Sequence, residues 1–256
     1  MRSPDLLVSA QLRLGCVKYL NAAPLVYGWG GEVVLDHPAA LCRMLAAGEL
    51  QVAFVSSFEF LRDPRYHIVD GVAVAADGPV ESVYVAHRVA LEEVQAITID
   101  PASATSVNLL RVLLAERRWS PRLVENDGDA QLLIGDQAIR FRDEHRTGWQ
   151  YWDLAEQWKR DTSLPFVFAL WLMRPEVPDP DAIAEQLRAL RDTNLQRLDE
   201  IIAAHPEFPP EFCARYFRER LRFHFGEREK QALLTFRAFC QKHGILPQNE
   251  EPLQLV

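Results

Sequence analysis

The chain has 256 residues, a formal net charge of -8 and a hydrophobic content of 48%. This length and composition suit a globular protein of one large or two smaller domains, and they exclude a fibrous or largely disordered chain. The acidic balance argues against nonspecific nucleic-acid binding, which needs a surplus of Lys and Arg facing the phosphates. It does not exclude an anionic ligand, because such a ligand responds to the local field of its pocket.

Short apolar runs alternate with helical patterns through the first two thirds of the chain, which predicts an α/β fold. The predicted strands are residues 12–17, 32–35, 52–55, 80–86, 96–99, 132–134 and 166–172. Leu41 and Leu45 share one helical face and predict a helix over residues 38–47, which Gly48 ends. A second helix is predicted over residues 106–118.

The last third of the chain carries helical patterns only, over residues 181–204, 209–217 and 227–243. We expect these helices to pack back onto the first part of the chain, because they need a sheet to cover. The predicted architecture is two-lobed: a discontinuous domain of residues 1–86 and 173–256, and an inserted domain of residues 87–172. The predicted strands around residues 80–87 and 166–173 would cross between the lobes, and a ligand would bind in the cleft.

A basic cluster near the start of this tail alternates with aromatic residues. Its members are Arg215, Arg218, Arg220 and Arg222. Acidic residues among them dilute the positive field, so we interpret the cluster as a solvated face and not as a nucleic-acid site. The aromatic residues Phe217, Phe223 and Phe225 would then pack inward.

Metal, redox and membrane sites have no sequence signature here. The four cysteines form no CxxC pair and the seven histidines no HExxH motif, so we predict reduced thiols and no metal. No apolar run reaches the roughly 18 residues of a membrane helix, and no basic segment followed by an apolar core begins the sequence. We therefore predict a cytoplasmic protein without membrane contact.

Polar residues follow several predicted strands, at the carboxyl ends where ligands bind in open α/β sheets. Tyr19 and Asn21 follow the first strand, and the pattern leaves open whether Asn21 caps a helix or faces a ligand. Ser56 and Ser57 follow the third strand. With the N–H groups of a helix start they could bind a carboxylate, although N-capping is the commoner role for such residues.

Three hydroxyl residues crowd the turn before the second helix: Ser103, Thr105 and Ser106. Thr105 or Ser106 would cap that helix, and the remaining hydroxyls with the free N–H groups would form an anion site. No glycine-rich phosphate loop occurs, so a carboxylate suits this site better than a nucleoside triphosphate.

Two further strands carry candidate residues. Gly135 would allow close approach of backbone or ligand beside Asp136, which could be a hydrogen-bond acceptor at a hinge, a helix cap or a general base, in that order. Ser82 lies inside the predicted strand 80–86. It either pairs within the sheet or points into the cleft, because a buried hydroxyl without a partner is costly.

Taken in order, six segments resemble the chorismate dehydratase family. They are residues 19–25 (YLNAAPL), 52–61 (VAFVSSFEFL), 77–83 (DGPVESV), 103–106 (SATS), 133–138 (LIGDQA) and 153–171. The resemblance covers residues 12–172. It implies the type II periplasmic-binding-protein fold and conversion of chorismate, a dicarboxylate, to 3-[(1-carboxyvinyl)oxy]benzoate and water. That reaction opens the futalosine route to menaquinone and needs no cofactor.

The resemblance also implies roles for particular residues. Asn21 and Ser82 would be the polar pair nearest the reacting ring. The implied substrate-binding residues are Tyr19, Ser56, Ser57, Ser103, Thr105, Ser106, Gly135, Asp136 and Phe166. The chain departs from the family pattern at Ser163, where Thr-Gly-Leu-Pro-Phe is expected, and in a short segment between Trp119 and Leu132.

Three other functions are considered beside the dehydratase. A non-catalytic solute-binding protein for a small carboxylate would share the fold and the logic of the pocket. The related 1,4-dihydroxy-6-naphthoate synthase begins with a Ser-Pro-x-Pro-Asn motif, whereas this chain has Tyr-Leu-Asn. A ligand-sensing regulator would need a helix-turn-helix with a basic face, and no such segment is found.

Overall fold

A computed structural model describes residues 12–100 and 103–256, which form two five-stranded sheets with helices around them. Its strands are β1 (Leu14–Val17), β2 (Val33–Asp36), β3 (Val52–Ser56), β4 (His67–Ala76), β5 (Val83–His87), β6 (Ala96–Thr98), β7 (Arg122–Val124), β8 (Ala130–Ile134), β9 (Gln150–Asp153) and β10 (Phe166–Met173). Its α-helices are α1 (Pro38–Ala47), α2 (Ser57–Arg62), α3 (Ala104–Glu116), α4 (Gly135–Glu144), α5 (Leu154–Thr162), α6 (Pro180–Leu195), α7 (Leu198–Ala203), α8 (Pro210–Arg215) and α9 (Glu227–Lys242).

The first sheet has the order β2-β1-β3-β10-β4. β1 pairs in parallel with β2 and β3, with Leu14 opposite both Val33 and Val52, whereas β10 is antiparallel to β3 and β4. β1, β3 and most of β10 are buried on both faces, which explains their continuous apolar sequences. The parallel register brings the carboxyl ends of β1 and β3 to one edge of the sheet.

The second sheet has the order β7-β6-β8-β5-β9. β5 is antiparallel to β8 and β9, and β6 is parallel to β7 and β8. This mixed α/β architecture, with helical segments after β10, confirms the predicted fold class.

The expectation that two strands cross between the lobes is wrong. β5 lies entirely in the second sheet, where β8 and β9 occupy its two edges, and β10 lies entirely in the first, between β3 and β4. A strand has only two edges for hydrogen bonding, so neither strand can also pair with the other sheet. We propose that the chain passes between the two units in residues 77–82 and 163–165, in place of the boundaries expected at residues 86 and 172.

The tail packs against the first sheet, as predicted, but it is not helical throughout. The N–H of Ala75 on β4 donates to the carbonyl of Arg222 at 2.9 Å, and the N–H of Ile68 donates to that of Gln254 at 2.6 Å. These bonds cover the outer edge of β4, which would otherwise be open to pairing with another chain. The predicted helix 181–204 is also divided, into α6 and α7.

The basic cluster has the predicted character of a charged outer surface over an aromatic core. Phe217, Phe223 and Phe225 are buried. The four arginines pair with carboxylates: Arg215 and Arg220 with Glu81, Arg218 with Asp199, and Arg222 with Asp77 and Glu229. Their charge is therefore largely neutralised within the protein.

The described cysteines are all free thiols and buried. None of the described helices is long and apolar enough to cross a membrane.

Ser163 ends α5 in a left-handed conformation, with a φ of 61°. Glycine adopts this conformation without the steric cost that a Cβ introduces, which gives a physical reason for the glycine that the resemblance leads us to expect at this position. The Ser163 carbonyl accepts hydrogen bonds from Lys159 Nζ at 3.1 Å and from the Arg228 guanidinium at 3.0 Å, and a glycine would keep both bonds.

Ser163→Gly is expected to stabilise the protein by about 1 kcal/mol, because it removes the left-handed strain without removing a described side-chain contact. Thermal unfolding should show a Tm rise of roughly 2–4 °C. Ser163→Ala is the control and should show no such gain. Equal effects of the two substitutions would contradict the backbone explanation.

Candidate functional site

A cavity of about 560 Å³, including its open mouth, lies between the two sheets. Eight of the predicted site residues line it: Tyr19, Asn21, Ser56, Ser82, Ser103, Thr105, Ser106 and Gly135. They come from the ends of β1 and β3 in the first sheet, and from the loop before β5 and the starts of α3 and α4 in the second. The strand ends therefore converge as expected for an open α/β fold.

Asn21 lies in a 3₁₀ turn, Leu20–Leu25, immediately after β1. Tyr19 occupies the N-cap position of that turn, so Asn21 does not cap it. The Asn21 Oδ1 atom is buried and has no hydrogen-bond partner in the described part of the chain. An unpaired buried amide oxygen costs about 1–3 kcal/mol, so its position at the cavity points to a ligand that donates to it.

The turn that carries Asn21 is held from two directions. The N–H of Leu20 donates to Asp136 Oδ1 at 2.9 Å, across from α4. The side-chain amide of Asn194 on α6 donates to the carbonyls of Pro24 and Tyr27, at 3.0 and 2.8 Å. Asp136 thus acts as a hydrogen-bond acceptor between the two sheets, the first of its three predicted roles. Burial raises the pKa of its carboxyl, which the bond from Leu20 partly offsets.

Tyr19 and Gly135 pack against each other at the cavity wall. Gly135 has a left-handed φ of 54°, and its N–H donates to the Ser82 carbonyl at 2.8 Å. A Cβ on Gly135 would lie 3.0 Å from ring atoms of Tyr19, so glycine is needed both for conformation and for space. Burial, with smaller contributions from Asp100 and Asp136, raises the pKa of Tyr19 to about 12 and keeps the phenol neutral near pH 7.

Gly135→Ala is expected to cost about 1–2 kcal/mol of stability and to displace the Tyr19 ring, lowering about 10-fold the catalytic efficiency of the dehydration that the family resemblance implies. Urea unfolding and steady-state kinetics measure the two effects. Gly148 is a matched control, since its φ is 79° but a Cβ there would meet no atom within 4 Å. Gly148→Ala should therefore reproduce the strain without the kinetic loss. Unchanged kinetics in Gly135→Ala would contradict the steric role.

The hydroxyl groups of β3 and α3 meet across the two sheets and satisfy each other. Ser56 Oγ and Thr105 Oγ1 share a short hydrogen bond, and Thr105 Oγ1 also accepts the N–H of Phe58 at 3.1 Å. Thr105 thereby caps α2 from the opposite sheet and does not cap its own helix. The hydroxyl groups expected to serve a carboxylate from two separate lobes, at Ser56-Ser57 and at residues 103–106, are thus joined by the bond between Ser56 and Thr105.

Within residues 103–256, no side chain at the N-cap position closes the start of α3. The helix begins at Ala104, and Ser103 occupies its N-cap position without a side-chain capping bond, so the predicted cap at Thr105 or Ser106 is wrong. Ser103 and Ser106 both line the cavity. The N–H groups of the first turn have no acceptor within an α-helix and carry its positive dipole end. A carboxylate would satisfy them.

None of the described residues that line the cavity is charged. A negative ligand would therefore be held by hydroxyl groups, an amide and helix N–H groups. The described residues also contain no group of three or more His, Cys, Asp or Glu that could hold a metal ion.

Ser82 lies one residue before β5 and is buried at the cavity. Its Oγ atom forms a 2.7 Å hydrogen bond with the Tyr216 hydroxyl. Ser82 therefore lines the cavity, but its hydrogen-bond partner is a side chain of the tail and not a group of the sheet. The preceding loop is fixed by Asp153, whose Oδ2 accepts the N–H groups of Val80 and Glu81 at 2.9 and 2.8 Å. Asp153 Oδ1 accepts the N–H groups of Ala155 and Glu156 and so caps α5.

Sequence reasoning missed Tyr216 and Asp153. Asp153 had a usable signal, because an Asp followed three residues later by Glu156 is typical of a helix start. Tyr216 had none, since only the fold brings it to Ser82.

Ser57 and Phe166 do not line the cavity. The Ser57 hydroxyl donates to the Val167 carbonyl at 2.7 Å, and Phe166 is buried in the core against Trp158 and Phe236. The aromatic residue of β10 at the cavity is Phe168. The pairing of β10 with β4 shifts register between Val167 and Ala169. Such an irregularity can change which side chains face each side of a strand.

The sequence of the chain matches a known protein family. The sequence model described as menaquinone biosynthesis matches residues 12–242. The chain belongs to this menaquinone biosynthesis family. A relative from Thermus thermophilus, named chorismate dehydratase, is 32% identical over 265 residues, covering 91% of this chain and 95% of the relative. A Campylobacter jejuni protein of the same name is 30% identical and covers 59% of this chain and 58% of its own.

Similar solved structures show that this chain has a periplasmic-binding-protein-like fold. An Archaeoglobus fulgidus protein superposes with a TM-score of 0.75 at 19% identity, covering 92% of this chain and 98% of that one. The alkanesulfonate-binding protein SsuA from Xanthomonas axonopodis pv. citri superposes with a TM-score of 0.67 at 15% identity, covering 93% and 95%. At these identities the similarity concerns the fold alone.

Proposed function

We propose that this protein is a cytoplasmic chorismate dehydratase, a carbon–oxygen lyase that converts chorismate to 3-[(1-carboxyvinyl)oxy]benzoate and water. Two relatives in the same family carry the name chorismate dehydratase, one of them matched over nearly the whole chain. The structural observation that carries the proposal is the buried, unpartnered Oδ1 atom of Asn21 at an uncharged, hydroxyl-lined cavity. A substrate hydroxyl would satisfy that atom.

The cavity suits the charge of chorismate. One substrate carboxylate would accept the N–H groups at the start of α3 together with the hydroxyls of Ser103 and Ser106. The ring would lie against Tyr19 and Phe168, two aromatic side chains of the lining. Because the described lining has no cation, this binding mode relies on helix dipole and hydroxyl groups.

The reaction breaks two bonds on adjacent ring carbons. A base removes the hydrogen from the carbon that bears the ether, its electron pair forms the new ring double bond, and the neighbouring hydroxyl departs and leaves as water. Aromatisation of the ring supplies the driving force, so the protein need only orient the substrate and assist the proton and the leaving group. No cofactor is needed for this step.

Asn21 and Ser82 are the residues that we assign to the reacting atoms. Asn21 would accept a hydrogen bond from the leaving hydroxyl, and Ser82 would donate one to the same oxygen as its C–O bond breaks. Neither side chain is a competent base near neutral pH. We therefore assign the base to a water molecule or a carboxylate of the substrate itself.

The proposal is tested by incubating the purified protein with chorismate and following the aromatic product by proton NMR. The expected result is stoichiometric formation of 3-[(1-carboxyvinyl)oxy]benzoate without an added cofactor. Binding of chorismate by calorimetry with no product would contradict the proposal and favour a solute-binding protein, whose fold this chain shares. Neither binding nor turnover would also contradict it.

A further inference from the structure

Tyr216 lies outside the predicted site but forms a hydrogen bond with one of its residues, Ser82. It is buried, with 1% of its surface exposed. It lies in the π-helical turn Tyr216–Arg220, which follows α8 and precedes Arg222, the residue that bonds to the outer edge of β4. Its hydroxyl lies 2.7 Å from Ser82 Oγ and has no other hydrogen-bond partner in the described part of the chain. A tail residue therefore touches a cavity residue 134 positions earlier in the sequence.

The same turn holds the backbone beside Ser82. Arg215 and Arg220 both pair with Glu81, at 2.9 and 2.6 Å. These arginines are five residues apart, and the i to i+5 bond from the Leu221 N–H to the Tyr216 carbonyl lets both reach one carboxylate. Glu81 itself has a left-handed φ of 64°. A non-glycine residue keeps such a conformation only when its surroundings fix it, as the two arginines do here.

The distance between the two hydroxyls allows either of them to donate, and the number of partners that each has decides the direction of the hydrogen bond. Burial raises the pKa of Tyr216 well above its ordinary value, so the phenol keeps its proton. With Ser82 as its partner, the phenol satisfies that buried proton only by donating to Ser82 Oγ. The serine then accepts from one side and has its own proton free on the side of the cavity.

We propose that Tyr216 is a positioning residue for the reaction: it donates to Ser82 and thereby directs the serine proton at the departing hydroxyl group of the substrate. This inference rests on the proposed function. Donation from Tyr216 also polarises Ser82 and makes it a stronger donor to the developing negative charge. Tyr216 loses no proton in the reaction. The base takes the ring hydrogen as a proton, and that proton is returned to the departing hydroxide, which leaves as water, so neither Ser82 nor Tyr216 changes its protonation state.

Tyr216→Phe tests the proposal because it removes only the phenol oxygen and keeps the ring in the core. We expect kcat for chorismate to fall about 10-fold while KM changes less than about 2-fold. In a Ser82→Ala background the same substitution should cause no further loss, since its effect passes through Ser82. Tyr66→Phe is the matched control, a buried tyrosine outside the cavity lining, and should leave both constants unchanged.

A second variant covers the case in which Tyr216→Phe does not fold. Glu81→Gln removes the charge that both arginines pair with, and we expect it to lower kcat about 3-fold with KM unchanged.

The inference is overturned if Tyr216→Phe leaves kcat unchanged, if it raises KM alone, or if it lowers kcat equally in the presence and absence of Ser82. It is also overturned if Tyr216→Phe does not fold and Glu81→Gln keeps the wild-type kcat. Failure of the wild-type protein to turn over chorismate is a separate result, which refutes the proposed function before any variant is compared.

Discussion

Asn21→Ala is expected to lower kcat/KM for chorismate by about 100-fold or more while leaving the Tm unchanged or slightly higher. The loss of activity follows because the Asn21 amide oxygen orients the hydroxyl group that departs, and misplacing a reacting group costs rate steeply. The Tm is preserved because Asn21 Oδ1 has no partner to lose in the described structure, and its removal relieves a buried unsatisfied atom. Steady-state kinetics and thermal unfolding on one preparation measure both effects.

Asn108→Ala is the control for this substitution. Asn108 is also a buried amide on an element beside the cavity, but its side chain donates to the Ala104 carbonyl at 2.9 Å and does not line the cavity. We expect it to lose stability and to keep most of its activity, the opposite of Asn21→Ala. A variant at position 21 that loses stability and activity in parallel would contradict the assigned role.

Asp153→Asn is expected to destabilise the protein by about 2–3 kcal/mol near neutral pH. The wild-type carboxylate accepts four backbone N–H groups, two in the loop before Ser82 and two at the start of α5. An amide offers one acceptor oxygen and turns its NH₂ group toward the other N–H pair, which leaves buried donors unpaired. Urea unfolding measures the loss.

Asp129→Asn is the matched control for that measurement. Asp129 also accepts two backbone N–H groups, those of Gln95 and Ala96, but it is exposed to solvent. Water can replace its bonds, so we expect a loss below about 1 kcal/mol. Equal losses at positions 129 and 153 would show that burial of Asp153 contributes nothing.

The pH dependence of the Asp153 effect has a definite sign. Burial raises the pKa of Asp153 from 3.8 to about 6, against the opposing effect of its backbone bonds. Between about pH 4 and pH 6 the folded protein therefore binds more protons at this group than the unfolded chain does, so its contribution to stability falls as pH rises. The stability difference between wild type and Asp153→Asn should grow as pH is lowered through this window. A difference that shrinks would show that the backbone N–H groups outweigh burial.

The local sequence predicted the elements whose pattern is complete within a few residues. The helix α1 has the predicted bounds, with Gly48 in the left-handed conformation that ends it. The strand β3 ends at Ser56, one residue beyond its predicted end. Asn21 was placed at a strand end by the same kind of pattern, and the structure brings it to the cavity. A continuous apolar run predicts a buried strand, and a glycine after a helical pattern predicts the end of the helix, without reference to any distant segment.

Features that depend on pairing between distant segments were not predicted. The strand β4 was missed; Gly71 interrupts it, and its outer edge is completed by the tail near Arg222 and Leu255. Phe168, and not Phe166, lines the cavity, and it lies where the pairing of β10 with β4 shifts register, a feature that the sequence of a single strand does not display. The same holds for Thr105, whose hydroxyl caps a helix of the other sheet.

The most direct test of the site is a crystal structure of the protein with 3-[(1-carboxyvinyl)oxy]benzoate bound. We expect the aromatic ring to lie between the two sheets, against Tyr19 and Phe168, with a carboxylate at the first turn of α3. The ring carbon that carried the hydroxyl in chorismate should lie beside Asn21 and Ser82. A product bound outside this cavity, or bound in it with both residues remote from that carbon, would contradict the account.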